Sequence, residues 1–245
     1  MPRRVPQRRR GKGTTPYTAV SHHYKAMSSF KTYDDVERNE SCKGKVMELI
    51  HDPSRRAPLM IVRFAEQTIA LPAPLGVMKG QVIEAGVKAP IKAGNYLPLK
   101  EIPEGTIISN IELAPGDGGK LVRTAGAKAK VVGKDKNKVK IKLASKSTKE
   151  LHESCRAMIG TIAGGGHKTK PLVKAGNNFY KWKAKGGKRW PLVRGCAKNA
   201  VDHPHGGKQH RKRKSKTVSR NAPPGKKVGS FASSRTGSGG KRRKK

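Results

Sequence analysis

Residues 154–245 contain 26 Lys or Arg and a single acid, Asp202. No feature of the sequence constrains folding more, because a segment this one-sided in charge repels itself. It is also too poor in apolar side chains to bury a core of its own. The asymmetry recurs at the other end, where residues 1–33 carry eight basic residues and no acid. Between the ends, residues 34–153 hold 21 basic and 15 acidic residues. The sequence is therefore a mildly basic, foldable middle with a polycation at either end. Its total of 55 basic against 16 acidic residues, a formal charge of +39, lies far beyond the ~2–8 charges that serve solubility alone. A polyanion must neutralise it in its working state: nucleic acid, an anionic membrane or an acidic protein.

A membrane is the weakest of these. No run approaches the ~18 consecutive apolar residues of a spanning helix. The basic N-terminus has no apolar region behind it, and no long basic amphipathic helix is evident. Cys42, Cys155 and Cys196 are odd in number and widely spaced, which argues against a disulfide framework and for a reducing, cytoplasmic compartment.

The middle reads as β. Short Val-, Ile- and Leu-rich runs recur between turn residues: Val46 to Ile50, Leu59 to Phe64, Thr68 to Leu71, Thr106 to Leu113, Lys128 to Val132, Lys138 to Leu143 and Ala157 to Ile162. In residues 138–143 the alternation is strict, with Val139, Ile141 and Leu143 on one face and lysines on the other. Gly116-Asp117-Gly118-Gly119 and Lys134-Asp135-Lys136-Asn137 supply turns. Helical periodicity is poor throughout. Many short strands at near-regular spacing point to small barrels, with a division near residue 90 where Pro90, Gly94 and Pro98 punctuate the chain. The expected organisation is a basic N-terminal extension at 1–33, one barrel at 34–90, a second at 91–175, and a basic C-terminal extension at 176–245.

Candidate nucleic-acid contacts fall in the extensions. Phe179 to Trp190 holds both tryptophans of the protein. Trp182 and Trp190 can stack on unpaired bases while Lys181, Lys183, Lys188 and Arg189 neutralise phosphates; alternatively the two rings anchor the tail to a barrel. Arg194 to Lys208 follows, with Gly195, Gly206 and Gly207 allowing close approach to a phosphate backbone. In it Lys198, Asn199, Asp202, His203 and His205 supply polar contacts, and Asp202 accepts from backbone amides, holds Arg194 or a histidine, or meets a base amino group. His210, Arg211, Lys212, Arg213 and Lys214 continue it; Arg3, Arg4, Arg8, Arg9 and Arg10 and Lys241 to Lys245 are charge runs that fit RNA better than a solvated tail.

Other chemistries fit less well. His203, His205 and His210 match no zinc spacing, and His203 beside Asp202 has no nucleophile with a recognisable motif to activate. Gly164-Gly165-Gly166-His167-Lys168-Thr169 lacks the Gly-Lys-Ser/Thr ending of a phosphate-binding loop. The acids of residues 34–153 form no acid/base cluster in the sequence. Neither a catalytic residue, a metal nor a cofactor is expected.

Val193-Arg194-Gly195 with Asn199-Ala200-Val201-Asp202-His203-Pro204-His205-Gly206-Gly207 resembles the signature of the universal large-subunit ribosomal protein two family. So do Glu104-Gly105-Thr106, Asn110 through Leu121, Ala125-Gly126 and Lys174-Ala175-Gly176, and Arg220 through Gly229 resembles its archaeal branch. The resemblance implies a mainly β fold: an OB-fold barrel followed by an SH3-like barrel, with long basic irregular extensions threading ribosomal RNA. It implies a structural, RNA-binding role in translation, with large-subunit ribosomal RNA and neighbouring ribosomal proteins as partners. It also implies support of subunit association, of tRNA binding and of the peptidyl-transferase region, with tRNA and the small subunit engaged indirectly. A histidine at the position of His203 has been proposed in the family to take part in peptide-bond formation, and support of RNA-borne chemistry is the better reading. Lys198 departs from the family's usual Met, and Lys208 to Lys214 replaces a more Gly-rich continuation. The competing classes are a DNA-compacting chromatin-type protein, which needs no Asp-His-Pro-His loop, and an RNA-modifying enzyme, which needs a cofactor loop or an acid/base cluster.

Overall fold

A computed structural model of the protein describes residues 12–65, 67–184, 193–207 and 217–233. The chain packs as two units, residues 20–171 and residues 1–19 with 172–245. The fold is mainly β, and no helix among the described residues is long and apolar enough to cross a membrane.

The 20–171 unit is built on ten strands. After a short helix α1 (Asp35–Asn39) come β1 (Ser41–Ile50), β2 (Leu59–Arg63), β3 (Thr68–Pro72), β4 (Val82–Gly86), β5 (Tyr96–Pro98), β6 (Ile107–Ser109), β7 (Ala129–Asp135), β8 (Lys138–Lys142), β9 (Thr148–His152) and β10 (Arg156–Ile159). A last helical turn, α2, spans Gly166–Thr169. The strands form one hydrogen-bonded sheet in the order β3-β2-β1-β4-β5-β10-β6-β7-β8-β9. Neighbours are antiparallel except β4 and β5, which run parallel. All seven apolar runs of the sequence contribute to strands, and the register of β8 puts Val139 and Ile141 in the core with Lys138 and Lys142 exposed. Three strands lay outside those runs. β9 (TKELH) has a single buried residue, Leu151, so hydropathy cannot mark it; β4 and β5 are recruited by their neighbours rather than by their own composition.

Two apolar clusters fill the unit. One gathers Val46, Met60, Val62, Phe64, Ile69, Leu71, Ile83 and Ala85 with Phe30, and it draws on Tyr96, Ala125, Met158 and Ile162 from beyond residue 90. The other gathers Leu97, Leu99, Ile102, Ile108, Ile111, Val131, Val139, Ile141, Leu151, Cys155, Ala157 and Ile159. A polar hub lies against both. Arg156 is 1 % exposed and Glu37 and Glu112 are wholly buried. The Arg156 guanidinium donates to Glu112 Oε1 from Nε (3.1 Å) and Nη2 (2.8 Å). Its Nη1 donates to Glu37 Oε2 (2.7 Å) and to the Lys31 carbonyl (2.8 Å). Glu112 also accepts from the backbone N–H groups of Arg156 (2.8 Å), Gly118 (3.0 Å) and Gly116 (3.3 Å). Tyr96 donates its hydroxyl to Glu37 Oε1 (3.3 Å), and Tyr33 and Phe30 lie under the guanidinium at 4.7 and 5.3 Å. Burial pushes the Glu37 carboxyl above its usual range against the pull of Arg156. For Arg156 the two carboxylates outweigh burial and its pKa rises. Two of the acids thus meet in space. They converge as hydrogen-bonded partners of an arginine and not as a catalytic pair. Their positions are 44 and 119 residues from Arg156, beyond any local pattern.

The Gly116–Gly119 turn makes this geometry possible. Gly118 and Gly119 have φ +80° and +87°, and a Cβ on Gly118 would press on Ser29.

In the other unit, α3 spans Ala175–Ala184. Poor periodicity predicted an irregular chain here; the helix forms with little amphipathic contrast, which is why the pattern misses it. Asn177 Nδ2 donates to the Leu172 carbonyl at its start (2.8 Å). Further on, β11 (Thr217–Val218) pairs in parallel with β12 (Ser230–Phe231), and Val218 and Val228 are buried.

Candidate nucleic-acid interface

The residues from Val193 to Gly207 close on themselves. A 3-10 turn at Gly195–Ala197 is followed by a loop held by its own backbone. The N–H groups of Asp202 and His203 donate to the Asn199 carbonyl (3.0 and 3.2 Å), Gly206 N–H to the His203 carbonyl (2.8 Å) and Gly207 N–H to the Lys198 carbonyl (3.3 Å). Two glycines are dictated by close approach. A Cβ on Gly195 would overlap the His203 imidazole, and one on Gly206 would overlap the carbonyls of Asn199 and Lys198. The spacing of Gly195, Asn199, His203 and Gly206 is thus the spacing of contacts within one compact turn.

The His203 ring is buried. Its Nδ1 accepts the backbone N–H of His205 (3.0 Å), and the two rings meet edge to face with centroids 5.1 Å apart. Burial lowers the His203 pKa, with the positive charges of His205 and Lys198 acting in the same direction. A neutral ring with Nδ1 accepting carries its proton on Nε2. The imidazole therefore offers a hydrogen-bond donor and no free lone pair, the opposite of what a general base needs. A phosphate oxygen, a ribose hydroxyl oxygen or a base acceptor suits it.

On α3, Phe179 and Trp182 are three residues apart and so share a helix face. Phe179, Tyr180 and Trp182 are all exposed, with Phe179 and Tyr180 edge to face at 5.5 Å. Lys181 and Lys183 are exposed between and beside them. The arrangement offers ring faces flanked by ammonium groups, as base stacking with phosphate neutralisation requires.

Lys181, Trp182 and Lys183 thus lie together on α3, and Arg194, Gly195, Lys198, Asn199, Asp202, His203, His205, Gly206 and Gly207 lie together in the 193–207 loop. Arg3, Arg4, Arg8, Arg9, Arg10, Lys188, Arg189, Trp190, Lys208, His210, Arg211, Lys212, Arg213, Lys214 and Lys241 to Lys245 lie outside the described residues. No grouping of three or more His, Cys, Asp or Glu side chains that could hold a metal occurs among the described residues.

The C-terminal domain of ribosomal proteins L2 matches residues 92–227 of this chain. The chain is 50% identical over 241 residues to the large ribosomal subunit protein uL2 of Methanothermobacter thermautotrophicus, covering 97% of this chain and 99% of that one. It is 49% identical over 245 residues to uL2 of Natronomonas pharaonis, covering 98% of each. It is also 49% identical over 241 residues to uL2 of Methanobrevibacter smithii, covering 97% of this chain and 99% of that protein.

Proposed function

The chain belongs to the uL2 family of large-ribosomal-subunit proteins, and from that premise we propose that its two extensions and the 193–207 loop are its principal contacts with ribosomal RNA. The protein is a structural, non-enzymatic constituent of the large ribosomal subunit of the cytoplasmic ribosome, and its partners are ribosomal RNA and neighbouring ribosomal proteins. The observation that carries this is identity of 49–50% along nearly the whole of both chains, terminal extensions included.

The finer reading is ours. The residues named above, from Arg3 to Arg10 at one end and from Lys181 to Lys214 at the other, contact RNA. Residues 34–90 form an OB-like barrel and residues 91–175 an SH3-like one. Support of tRNA binding, of subunit association and of the peptidyl-transferase region follows indirectly, through the RNA that the protein braces. The donor-only His203 supports a bracing role over proton transfer. Two observations favour RNA over duplex DNA: exposed rings interleaved with lysines, and a preformed loop with a buried donor, neither of which non-specific compaction requires.

The test is sedimentation of the full chain with large subunits through a high-salt cushion, beside competition by duplex DNA. Retention on subunits and poor displacement by DNA are expected. Release at moderate salt, with equal affinity for DNA, would favour the compaction reading.

A further inference from the structure

The two meanders of the 20–171 unit carry the same exposed motif, residue for residue. In the first, β1 pairs with β2 through Lys45 opposite Arg63 and Val46 opposite Val62, and then skips Met47 to resume at Glu48 opposite Ile61. In the second, β7 pairs with β8 through Lys130 opposite Lys142 and Val131 opposite Ile141, and then skips Val132 to resume at Gly133 opposite Lys140. Both therefore place a cation, a fully buried valine and an exposed apolar bulge residue in the same order. The rows extend alike. Lys45 faces Val82 of β4 on its other side, and Arg63 faces Thr68 of β3. Lys130 faces Ile107 of β6, and Lys142 faces Thr148 of β9. Both turns after the second strand close alike, by Phe64 N–H to the Gln67 carbonyl and Leu143 N–H to the Ser147 carbonyl, each at 2.9 Å. Across the sheet, the rows run Thr68-Arg63-Lys45-Val82 and, mirrored, Ile107-Lys130-Lys142-Thr148, with all eight residues exposed.

Like charges directly opposite one another weaken a sheet. Nothing in either row offsets that cost: among the described residues, none of the four cations has a carboxylate within ion-pair distance. Several cations elsewhere on the same unit are paired with acids. Lys138 pairs with Glu150 (3.9 Å), Lys140 with Asp135 (3.7 Å), Lys120 with Asp117 (3.8 Å) and Arg38 with Asp35 (3.2 Å). Among the cross-strand pairs of the described sheet, these two alone set a lysine or arginine directly opposite another, and each is bounded by a threonine hydroxyl on one side and a β-branched apolar side chain on the other.

We infer that the Lys45–Arg63 and Lys130–Lys142 rows are a duplicated docking device for the phosphate backbone of RNA, on the folded body and separate from the extensions. Each cation pair sits on adjacent strands, about 4.5–5.5 Å apart at the backbone, so one stretch of backbone can be gripped by both cations, with the threonine hydroxyl as a further donor. The inference rests on the RNA-binding reading above.

The test uses the full chain with all four cations replaced (K45Q, R63Q, K130Q, K142Q) and a charge-matched control (R38Q, K120Q, K138Q, K140Q), titrated against large-subunit ribosomal RNA over a range of salt. Each phosphate that is no longer neutralised lowers the log–log salt slope by about 0.7–0.9. The row variant is expected to lose about 3 from the slope and the control less than 1, with both retaining the wild-type circular dichroism spectrum. Equal slopes for the two variants would overturn the inference while leaving the RNA reading intact. A wild-type chain with no salt-dependent RNA binding would overturn both. Because chain folding could confound a quadruple variant, lysine acylation of assembled wild-type subunits provides a second measurement. Lys45, Lys130 and Lys142 are expected to be protected relative to Lys138 and Lys140, and uniform reactivity would count against the rows.

Discussion

The Arg156 hub and the His203 loop both bury polar groups, and they do so by opposite means. At the hub every charge is met by a charge or a directed hydrogen bond from a distant part of the chain. In the loop the polar ring is satisfied by the backbone two residues away, and its charge is suppressed. One device welds separate segments into a body. The other keeps a donor neutral and presented. A protein braced against RNA needs both: a body that holds its shape before RNA arrives, and contacts whose partners are still to come.

The sharpest break in this contrast is Arg156→Ala. It strands two buried carboxylates, and about 3–5 kcal/mol of stability is expected to go, read by denaturant unfolding. Replacing Arg156, Glu37 and Glu112 together with apolar residues of similar size should restore much of that loss; if the single variant is near neutral, the hub is not a weld. Trp182→Ala should weaken binding to large-subunit RNA by about 1–3 kcal/mol, the worth of one stacked base. Lys181→Ala should weaken it less and in a salt-dependent way. Equal losses would remove the case for stacking on α3.

Gly195→Ala forces a methyl into the His203 ring, at an expected ~1–3 kcal/mol of local stability. The imidazole nitrogen shifts are the readout, and an unchanged Nδ1 acceptor signature would contradict the packing described here. The pH response separates the two sites by sign. The folded pKa of His203 is lowered, so the unfolded chain takes up protons first. The loop should therefore lose stability as pH falls through ~6.5, the ordinary histidine value. Glu37, raised in the fold, acts oppositely: its contribution is greatest below its unfolded value of ~4.3 and declines as pH rises through its folded pKa. Asp52 opposes it in acid. Its carboxylate is buried and accepts from Arg55 Nε (2.8 Å) and from the Ser54 N–H (3.1 Å) and hydroxyl. These bonds outweigh burial and hold its pKa at about 2, so its contribution is lost only as pH falls towards that value. The smallest effect belongs to the exposed pair Lys138–Glu150, where Lys138→Ala should cost less than ~1 kcal/mol.

Much of this architecture is legible along the chain. The alternation over residues 138–143 sets the inward face of β8, and Asp135-Lys136-Asn137-Lys138 closes a two-residue hairpin because Asp135 pairs with Lys138. The Asn199-to-Gly207 motif is readable too, since the backbone hydrogen bonds that close it join residues no more than nine positions apart. α3 and β9 are not readable, because neither shows the contrast between faces that burial imprints on a sequence.

By itself the sequence determined the partition into a foldable middle and polycationic ends, the need for a polyanion, and the strand-forming runs, all properties of composition and near neighbours. Only the tertiary structure decided that Glu37 and Glu112 meet at Arg156, and that Lys45–Arg63 and Lys130–Lys142 occupy equivalent rows. The reason is physical: period two assigns each side chain to a face, whereas its cross-strand neighbour depends on register, and register is set by bulges and turns that take effect only when strands pair.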